Sequence, residues 1–483
     1  MDVLWATLRE PDRLIRTLPE HTWTTVETVY VRPHLKIVKL PSAADWKRFA
    51  QYARRVRVLD CRYQLDAFLT LLDAPSTPYL GATMQHFSGL QIFPNLHTLF
   101  LGWEKQSQHF ELLITPPLRH LHVVSVSDDT IAGLVEALLN SSSTLETVYI
   151  DTEFGYVHHQ RFAKRFCHVL TKLEKLIALH VQIPCSQAVP HLALLPTLCE
   201  LRLVDISTTG TVTLPFRALT KLSILIINTT EPFLLPLLDR LGAPNLSELK
   251  IHYDIRLHLF VDLRPAAKQI HNVLLRVSRF PQMRSFTLQG SELARPPEDE
   301  HILTMAMLAP LLLLRQMETL EMCGFPVLFS SEESAAVASA WPLLKCLRIA
   351  DKVHFREPLR RRLLQADDLL PFARHCPALE VLALPLEIVG TSVPTGAPDL
   401  PPPSRINKLF VSSVAKEVSQ DMLELFTRVF PWADVKVPGA LGSEAISLIS
   451  VRGALQEEEG GDEDEADEEE QEGEAAQESG SLL

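Results

Sequence analysis

His120 and His122 stand two residues apart in the segment Arg119-His120-Leu121-His122-Val123. On an extended strand both imidazoles would face one side, and paired imidazoles are the beginning of a metal site. The segment offers no further ligand, so two solvent-facing histidines are the plainer expectation. His158 and His159 are adjacent and would point apart on a strand or a helix. The seven cysteines, at positions 61, 167, 185, 199, 323, 346 and 376, form no Cys-x-x-Cys pair and are odd in number. Buried, reduced thiols in an intracellular protein, cytoplasmic or nuclear, fit this better than a disulfide framework. The phosphate-binding G-x-x-x-x-G-K-[ST], the dinucleotide G-x-G-x-x-G, the nucleophile elbow G-x-S-x-G and the zinc H-E-x-x-H are absent. No catalytic, cofactor-binding or metal-ligating set is therefore expected, no cofactor, and no enzymatic role.

Charge is distributed unevenly. The net charge of −13 comes from the end of the chain, where residues 456 to 483 carry 14 acidic side chains and no Lys or Arg. The remainder holds 45 acidic against 46 basic residues, which gives no global case for nucleic acid or an anionic membrane. One local exception is a basic cluster of Lys47, Arg48, Arg54, Arg55, Arg57 and Arg62. It is a solvated helix face, or a hold for an acidic partner or for the chain's own tail.

The elements that would position these groups follow a repeated phrase. Apolar residues recur at positions 1, 4 and 6 of units starting at Val56, Leu96, Leu118, Leu145, Leu176, Leu198, Leu222, Leu246, Met283, Met317, Leu344, Leu379 and Ile406, with a worn copy at Trp432. In a chain that is 46% apolar such triplets are weak evidence alone. The prolines decide. Pro94, Pro116, Pro196, Pro244, Pro281, Pro342 and Pro377 each precede a triplet by two residues, which is seven of thirteen units where chance would place about one. Proline ends the preceding helix and favours an extended chain on entry to a strand. Amphipathic segments lie between the triplets: Ile131, Leu134, Val135 and Leu138; Phe162, Phe166, Val169, Leu170 and Leu173; Ile270, Val273, Leu274 and Val277; Met422, Leu425, Phe426 and Val429. Strand and helix alternating at this period define a leucine-rich repeat: an α/β solenoid with a parallel concave sheet and convex helices. Thirteen strands at ~4.8 Å would make a sheet ~60 Å long. The usual Asn or Cys three residues after each triplet is missing, with Glu104, Val126, Glu153, Pro184, Ile206 and Thr230 in its place, so an irregular solenoid is expected.

Strand alternation then names a surface. With positions 4 and 6 inward, position 5 faces the concave side. That row reads Asp60, Phe100, His122, Tyr149, His180, Arg202, Ile226, Lys250, Thr287, Glu321, Arg348, Ala383 and Phe410. Phe100, His122, Tyr149, His180 and Arg202 form a run of the residue types that anchor protein interfaces. They are the candidate protein-binding residues, with a protein substrate or partner as the expected ligand.

The flanks complete three units: a helical cap at 1–50, the repeats at 51–438, and an acidic tail at 439–483. In the cap, one helix would bury Leu4, Trp5 and Leu8, and a second, starting at Pro11, would bury Leu14, Ile15 and Leu18. A third begins at Ser42 with Asp45 completing a capping-box-like start, and carries Trp46, Phe49, Ala50 and Ala53 on one face. It would cover the open end of the array. Gly290–Glu300 and Gly390–Ser404 are Pro-rich loops, and the tail has too little apolar content to fold. Leu303–Leu314, the longest apolar run, is too short for a membrane span and reads as a buried repeat helix. No secretory signal is evident at the N-terminus.

The stretch Asp2-Val3-Leu4-Trp5, the segment Leu14 to Pro19, Arg32-Pro33 and above all Asp45-Trp46-Lys47-Arg48-Phe49 with Tyr52-Ala53-Arg54-Arg55-Val56-Arg57 resemble fungal, basidiomycete-type F-box/leucine-rich-repeat proteins. The resemblance covers roughly residues 1 to 438. It implies substrate recognition for an SCF-type ubiquitin ligase through the repeat surface. In that family the F-box precedes the stretch matching Asp2, so here it would be missing or truncated. No adaptor-binding residue can be carried over, and a Skp-type adaptor is an implied partner only where an F-box lies upstream. A free-standing repeat scaffold with no ubiquitin link is the alternative.

Overall fold

A computed structural model describes residues 5–9, 12–26, 34–39, 41–62, 92–102, 113–124, 128–141, 144–151, 160–181, 186–204, 214–227, 234–254, 266–290, 301–328, 330–349, 364–385, 387–388, 401–410, 413–414, 428–437 and 446–447. Its spine is a 16-stranded sheet whose strands lie side by side in chain order. It starts with Thr7–Leu8 and Val58–Cys61, and runs through Thr98–Leu101, His120–Val124, Thr147–Asp151, Ala178–Val181, Glu200–Val204, Lys221–Ile227, Glu248–Asp254 and Ser285–Gln289. It continues through Thr319–Cys323, Cys346–Ile349, Val381–Ala383, Lys408–Phe410 and Asp434–Val437 to Ile446–Ser447. Every pairing is parallel except the last, where Ile446–Ser447 runs antiparallel to Asp434–Val437. Helices such as Asp128–Ser141, Gln160–Leu170, Ala267–Val277 and Ser331–Ala340 return the chain between strands, the crossover that parallel pairing requires. This is an α/β leucine-rich-repeat solenoid.

The register is held at the entry to each strand. The carbonyl of Arg57 accepts from the N–H groups of both His97 and Thr98, at 2.8 and 3.0 Å, and that of His97 accepts from Arg119 and His120 in turn. The same two-donor step recurs at Arg119, Glu146, Ile177, Cys199, Thr220, Ser247, Arg284, Glu318, Lys345 and Glu380. It also corrects one unit. Leu222 pairs with Leu201 and Leu249, both at position 4 of their triplets. The triplet is therefore Leu219, Leu222 and Ile224 rather than Leu222, Leu225 and Ile227. Leu225 and Ile226 are also buried, so this apolar run satisfies either reading, and only hydrogen bonding separates them.

The prolines act differently from the expectation. The N–H of Leu96 bonds to the carbonyl of Phe93, and the same three-residue step joins Leu118 to Thr115, Leu246 to Ala243, Met283 to Phe280, Leu344 to Trp341 and Leu379 to Cys376. Pro94, Pro116, Pro244, Pro281, Pro342 and Pro377 thus occupy the second position of a β-turn, where a fixed φ is preorganised. The residues three places before the triplet starts form a second buried row behind the triplets: Phe93, Thr115, Leu195, Phe216, Ala243, Phe280, Leu314, Trp341 and Cys376 are all buried.

Of the expected helix faces, Leu134, Val135 and Leu138, Phe166, Val169, Leu170 and Leu173, and Ile270, Val273, Leu274 and Val277 point into the core. Leu303–Leu314 is not one helix. Leu303–Thr304 is a short strand paired with Val327–Leu328, followed by helix Met305–Leu308 and 3-10 turn Ala309–Leu313. Pro310 sits at the start of the 3-10 turn, in line with its missing N–H. Where this unit meets its neighbour, Gly324 has φ +80 and a Cβ there would lie 2.8 Å from the Gly290 carbonyl oxygen. Only glycine meets both constraints. Trp432, the expected start of the last triplet, is exposed, and Phe430 fills the core instead.

The cap is less helical than expected. Leu8 lies on the strand that begins the sheet. Trp23–Val26 and His34–Ile37 form an antiparallel hairpin. The second helix spans Asp12–Ile15, and Leu14, Ile15 and Leu18 are buried as expected. The helix Ala43–Ala53 follows its reading closely. Ser42 Oγ accepts from the Asp45 N–H while the Asp45 carboxylate accepts from Ser42 N at 2.8 Å, and Trp46, Phe49 and Ala53 are buried. Those hydrogen bonds hold the Asp45 carboxyl below its ordinary range. The turns at Glu104, Val126, Glu153, Pro184, Ile206 and Thr230, most of both Pro-rich loops, His158, His159, Cys185, Met422, Leu425, Phe426 and the tail beyond Ser447 lie outside the described residues.

Candidate concave binding face

The five candidate residues come together as one row. Phe100 pairs in register with His122, His122 with Tyr149, Tyr149 with His180, and His180 with Arg202. All five are half-buried. Parallel strands place equivalent side chains about 4.8 Å apart, which is stacking distance for rings. Phe100 and His122 stack with centroids 4.5 Å apart and planes at 24°. His122 and Tyr149 follow at 5.8 Å and 27°, and Tyr149 and His180 at 5.7 Å and 40°. The guanidinium of Arg62 lies 4.9 Å from the Phe100 centroid and is ion-paired with Asp60 at 2.8 Å. At the other end the His180 Nε2 is 3.7 Å from Glu200, whose other oxygen accepts from Lys221 at 2.6 Å. The Arg202 Nε is buried and has no hydrogen-bond partner among the described residues.

Beyond Arg202 the row continues through Ser223, not Ile226, and then Lys250, Thr287, Glu321, Arg348, Ala383 and Phe410. Here several side chains pair along the row. Lys250 pairs with Glu248 at 2.6 Å, Glu321 accepts from Thr287 and pairs with Arg348 at 3.9 Å, and Arg348 lies over the Phe410 ring. Sequence reading found the row by alternation and could not see that its first half stacks while its second half is mutually paired. His120 shares a face with His122, and among the described residues no group of three His, Cys, Asp or Glu side chains is placed to hold a metal.

Burial pushes the imidazoles of His122 and His180 below their ordinary range. The neighbouring His120 and Arg62 add to this at His122, and Glu200 opposes it at His180. Burial also raises the Tyr149 phenol, whose hydroxyl donates to Asp151 at 3.3 Å. At neutral pH the row therefore presents uncharged rings between two guanidinium groups. A depressed folded-state histidine binds protons less readily than the unfolded chain does. Its contribution to stability is whole above about pH 6.5 and erodes as pH falls through the folded value. The melting temperature should drop more steeply between pH 7 and pH 5 in the native chain than in His122→Phe, which keeps the stack and removes one titration. Parallel curves would contradict the assignment.

No family model and no curated protein sequence matches the chain. Among solved structures, an internalin from Listeria monocytogenes is similar over 73% of this chain and 83% of its own, with 14% identity and a TM-score of 0.38. A protein from Bacteroides fragilis is similar over 50% and 68%, with 12% identity and a TM-score of 0.25. Among the described residues no helix is long and apolar enough to cross a membrane, and the described cysteines are free thiols. The class to which this chain belongs is the leucine-rich-repeat solenoid, established by its own sheet and register.

Proposed function

We propose that this chain is a protein-interaction receptor whose concave row from Phe100 to Arg202 captures a protein partner without a covalent step. The observation that carries it is the stacked, half-buried row ending in an unpartnered guanidinium nitrogen. Aromatic side chains give up little conformational entropy on binding, and aromatic and arginine residues together dominate interface energetics. The solenoid holds them at fixed spacing, so the partner meets a preorganised surface.

We further propose substrate recognition for an F-box-type ubiquitin ligase as the biological setting. This rests on the resemblance of Asp45 to Leu59 to the post-F-box helix of that family. A free repeat scaffold is the rival. The test is co-purification of a Skp-type adaptor with the chain extended through any open reading frame preceding Met1. Stoichiometric adaptor supports the receptor, and its absence leaves the scaffold. Either outcome leaves the concave-row reading to its own test.

A further inference from the structure

The basic cluster of the cap takes no part in the concave row, and its setting in the fold gives it a different role. Residues 1 to 62 hold 12 Lys and Arg against 7 Asp and Glu, whereas residues 63 to 455 hold 34 against 38 and the tail holds 14 acids alone. The chain is polarised along its length. Within the cap, helix Ala43–Ala53 buries Trp46, Phe49 and Ala53, which leaves Lys47, Arg48, Arg54 and Arg55 exposed along its outer side. Helix Asp12–Ile15 packs against it, and Arg13 and Arg16 are exposed there too. Arg16 rests 5.4 Å over the Trp23 ring and Arg55 5.7 Å over Tyr52, so two of these guanidinium groups have rigid supports. Asp45 is engaged by Ser42, and Asp60 by Arg62.

We infer that this outer face of the cap is a dock for the end of the chain's own acidic segment, residues 467–478, which carries seven acidic side chains. Charge complementarity selects an anionic polypeptide. Reach and concentration select this one. The strands Val58–Cys61 and Asp434–Val437 are 13 steps apart in the sheet, about 60 Å along it. Residue 478 lies 31 residues beyond Ser447, the last described residue. That length spans ~100 Å at full extension and would average ~33 Å end to end as a random walk, whereas the ten residues to position 457 span at most ~35 Å. A tether of this kind gives an effective concentration on the order of 0.1 mM at the cap. A micromolar second copy is outcompeted by about 100-fold. Each exposed ion pair is weak, so the clasp depends on many together and is released by salt or displaced by another polyanion. The inference is independent of what the concave row binds.

The test compares the full chain with one ending at residue 455, by acylation of Lys47 at 1 and at 50 µM protein. Lys47 should react at least threefold more slowly in the full chain, equally at both concentrations, and the difference should vanish at 0.5 M salt. Equal reactivity in the two chains overturns the dock, and protection only at 50 µM overturns its intramolecular form. A synthetic peptide of residues 456–478 should bind the shortened chain, and Arg48→Glu with Arg54→Glu should weaken it at least 10-fold. Lys172→Glu with Lys175→Glu, an exposed basic pair outside the cap, should leave peptide binding within twofold. Equal loss in both variants would reduce the effect to bulk charge and overturn the site. Melting curves confirm that each charge variant is folded.

Discussion

Trp341→Ala should lower the unfolding free energy by about 3–5 kcal/mol. Trp341 is among the largest fully buried side chains of the protein, and three repeats meet on it. Its Nε1 donates to the Leu311 carbonyl of the preceding unit at 3.2 Å. Its own carbonyl accepts from Leu344 across the turn and from the Cys376 thiol of the following unit at 3.5 Å. Truncation opens a cavity and removes one of two donors to the Leu311 carbonyl, which keeps the Leu314 N–H at 2.9 Å, so the cavity carries most of the cost. Each repeat in a solenoid is stabilised by its neighbours, so a defect between repeats weakens the coupling across it. The urea transition should therefore broaden or split as well as move. Trp341→Phe fills most of the volume and loses only the donor, and should cost about 1–2 kcal/mol. Chemical denaturation followed by circular dichroism measures all of these. A loss below 1 kcal/mol for the alanine variant would mean that the buried row behind the triplets carries little of the packing.

That row was not legible in the sequence, and the reason is physical. Its members are Phe93, Thr115, Leu195, Phe216, Ala243, Phe280, Leu314, Trp341 and Cys376. What they share is the place three residues before a triplet, and the space there differs, so the row mixes Phe, Leu, Trp, Ala, Cys and Thr with no fixed type. The triplets were legible because a strand against a core demands apolar side chains at fixed alternation, whatever lies beyond. The prolines marked the right places for an incomplete reason. An extended entry to a strand is only part of what proline favours there; six of them are the second residues of β-turns. Alternation fails where both faces of a strand are apolar, as at Leu222, Ile224, Leu225 and Ile226, and there the register sets the unit three residues earlier than alternation does. In the cap, Trp23-Thr24-Thr25-Val26 carried the β-branched and aromatic bias of a strand within a stretch read as helical. The capping box at Ser42 and Asp45 needed only local chemistry and was found intact.

The same contrast sharpens the candidate site. Position 5 of each strand was legible from alternation, because a parallel sheet in constant register lines up equivalent positions. Which part of that row is free to bind was not, because it depends on what each side chain meets across the neighbouring strand. From Lys250 to Phe410 charges and rings are engaged with one another. From Phe100 to Tyr149 ring stacks on ring, His180 follows at a tilt, and Arg202 ends the run with a buried donor unsatisfied among the described residues. An orphaned donor in a half-buried site raises the energy of the free protein, and a partner that supplies an acceptor recovers it.

Tyr149→Ala and Arg202→Ala should therefore each weaken partner binding at least 10-fold, which is about 1.4 kcal/mol or more. The two should be non-additive, because Arg202 acts electrostatically on the Tyr149 phenol and the His180 imidazole between them. His180→Ala should fall between a neutral change and these two, since its ring is partly held by Glu200. Lys408→Ala, an exposed residue on a strand of the far half, should stay within twofold. None of these residues is in the core, so the melting temperature should move little. The measurement is the retention of individual partners on the immobilised native chain, each then titrated against the four variants. A partner lost with Tyr149→Ala and Arg202→Ala but kept by Lys408→Ala places recognition on the aromatic half of the row. Partners bound equally by all four variants would remove the concave row as the binding surface. They would turn attention to the charged cap, where salt sensitivity rather than aromatic truncation is the diagnostic response.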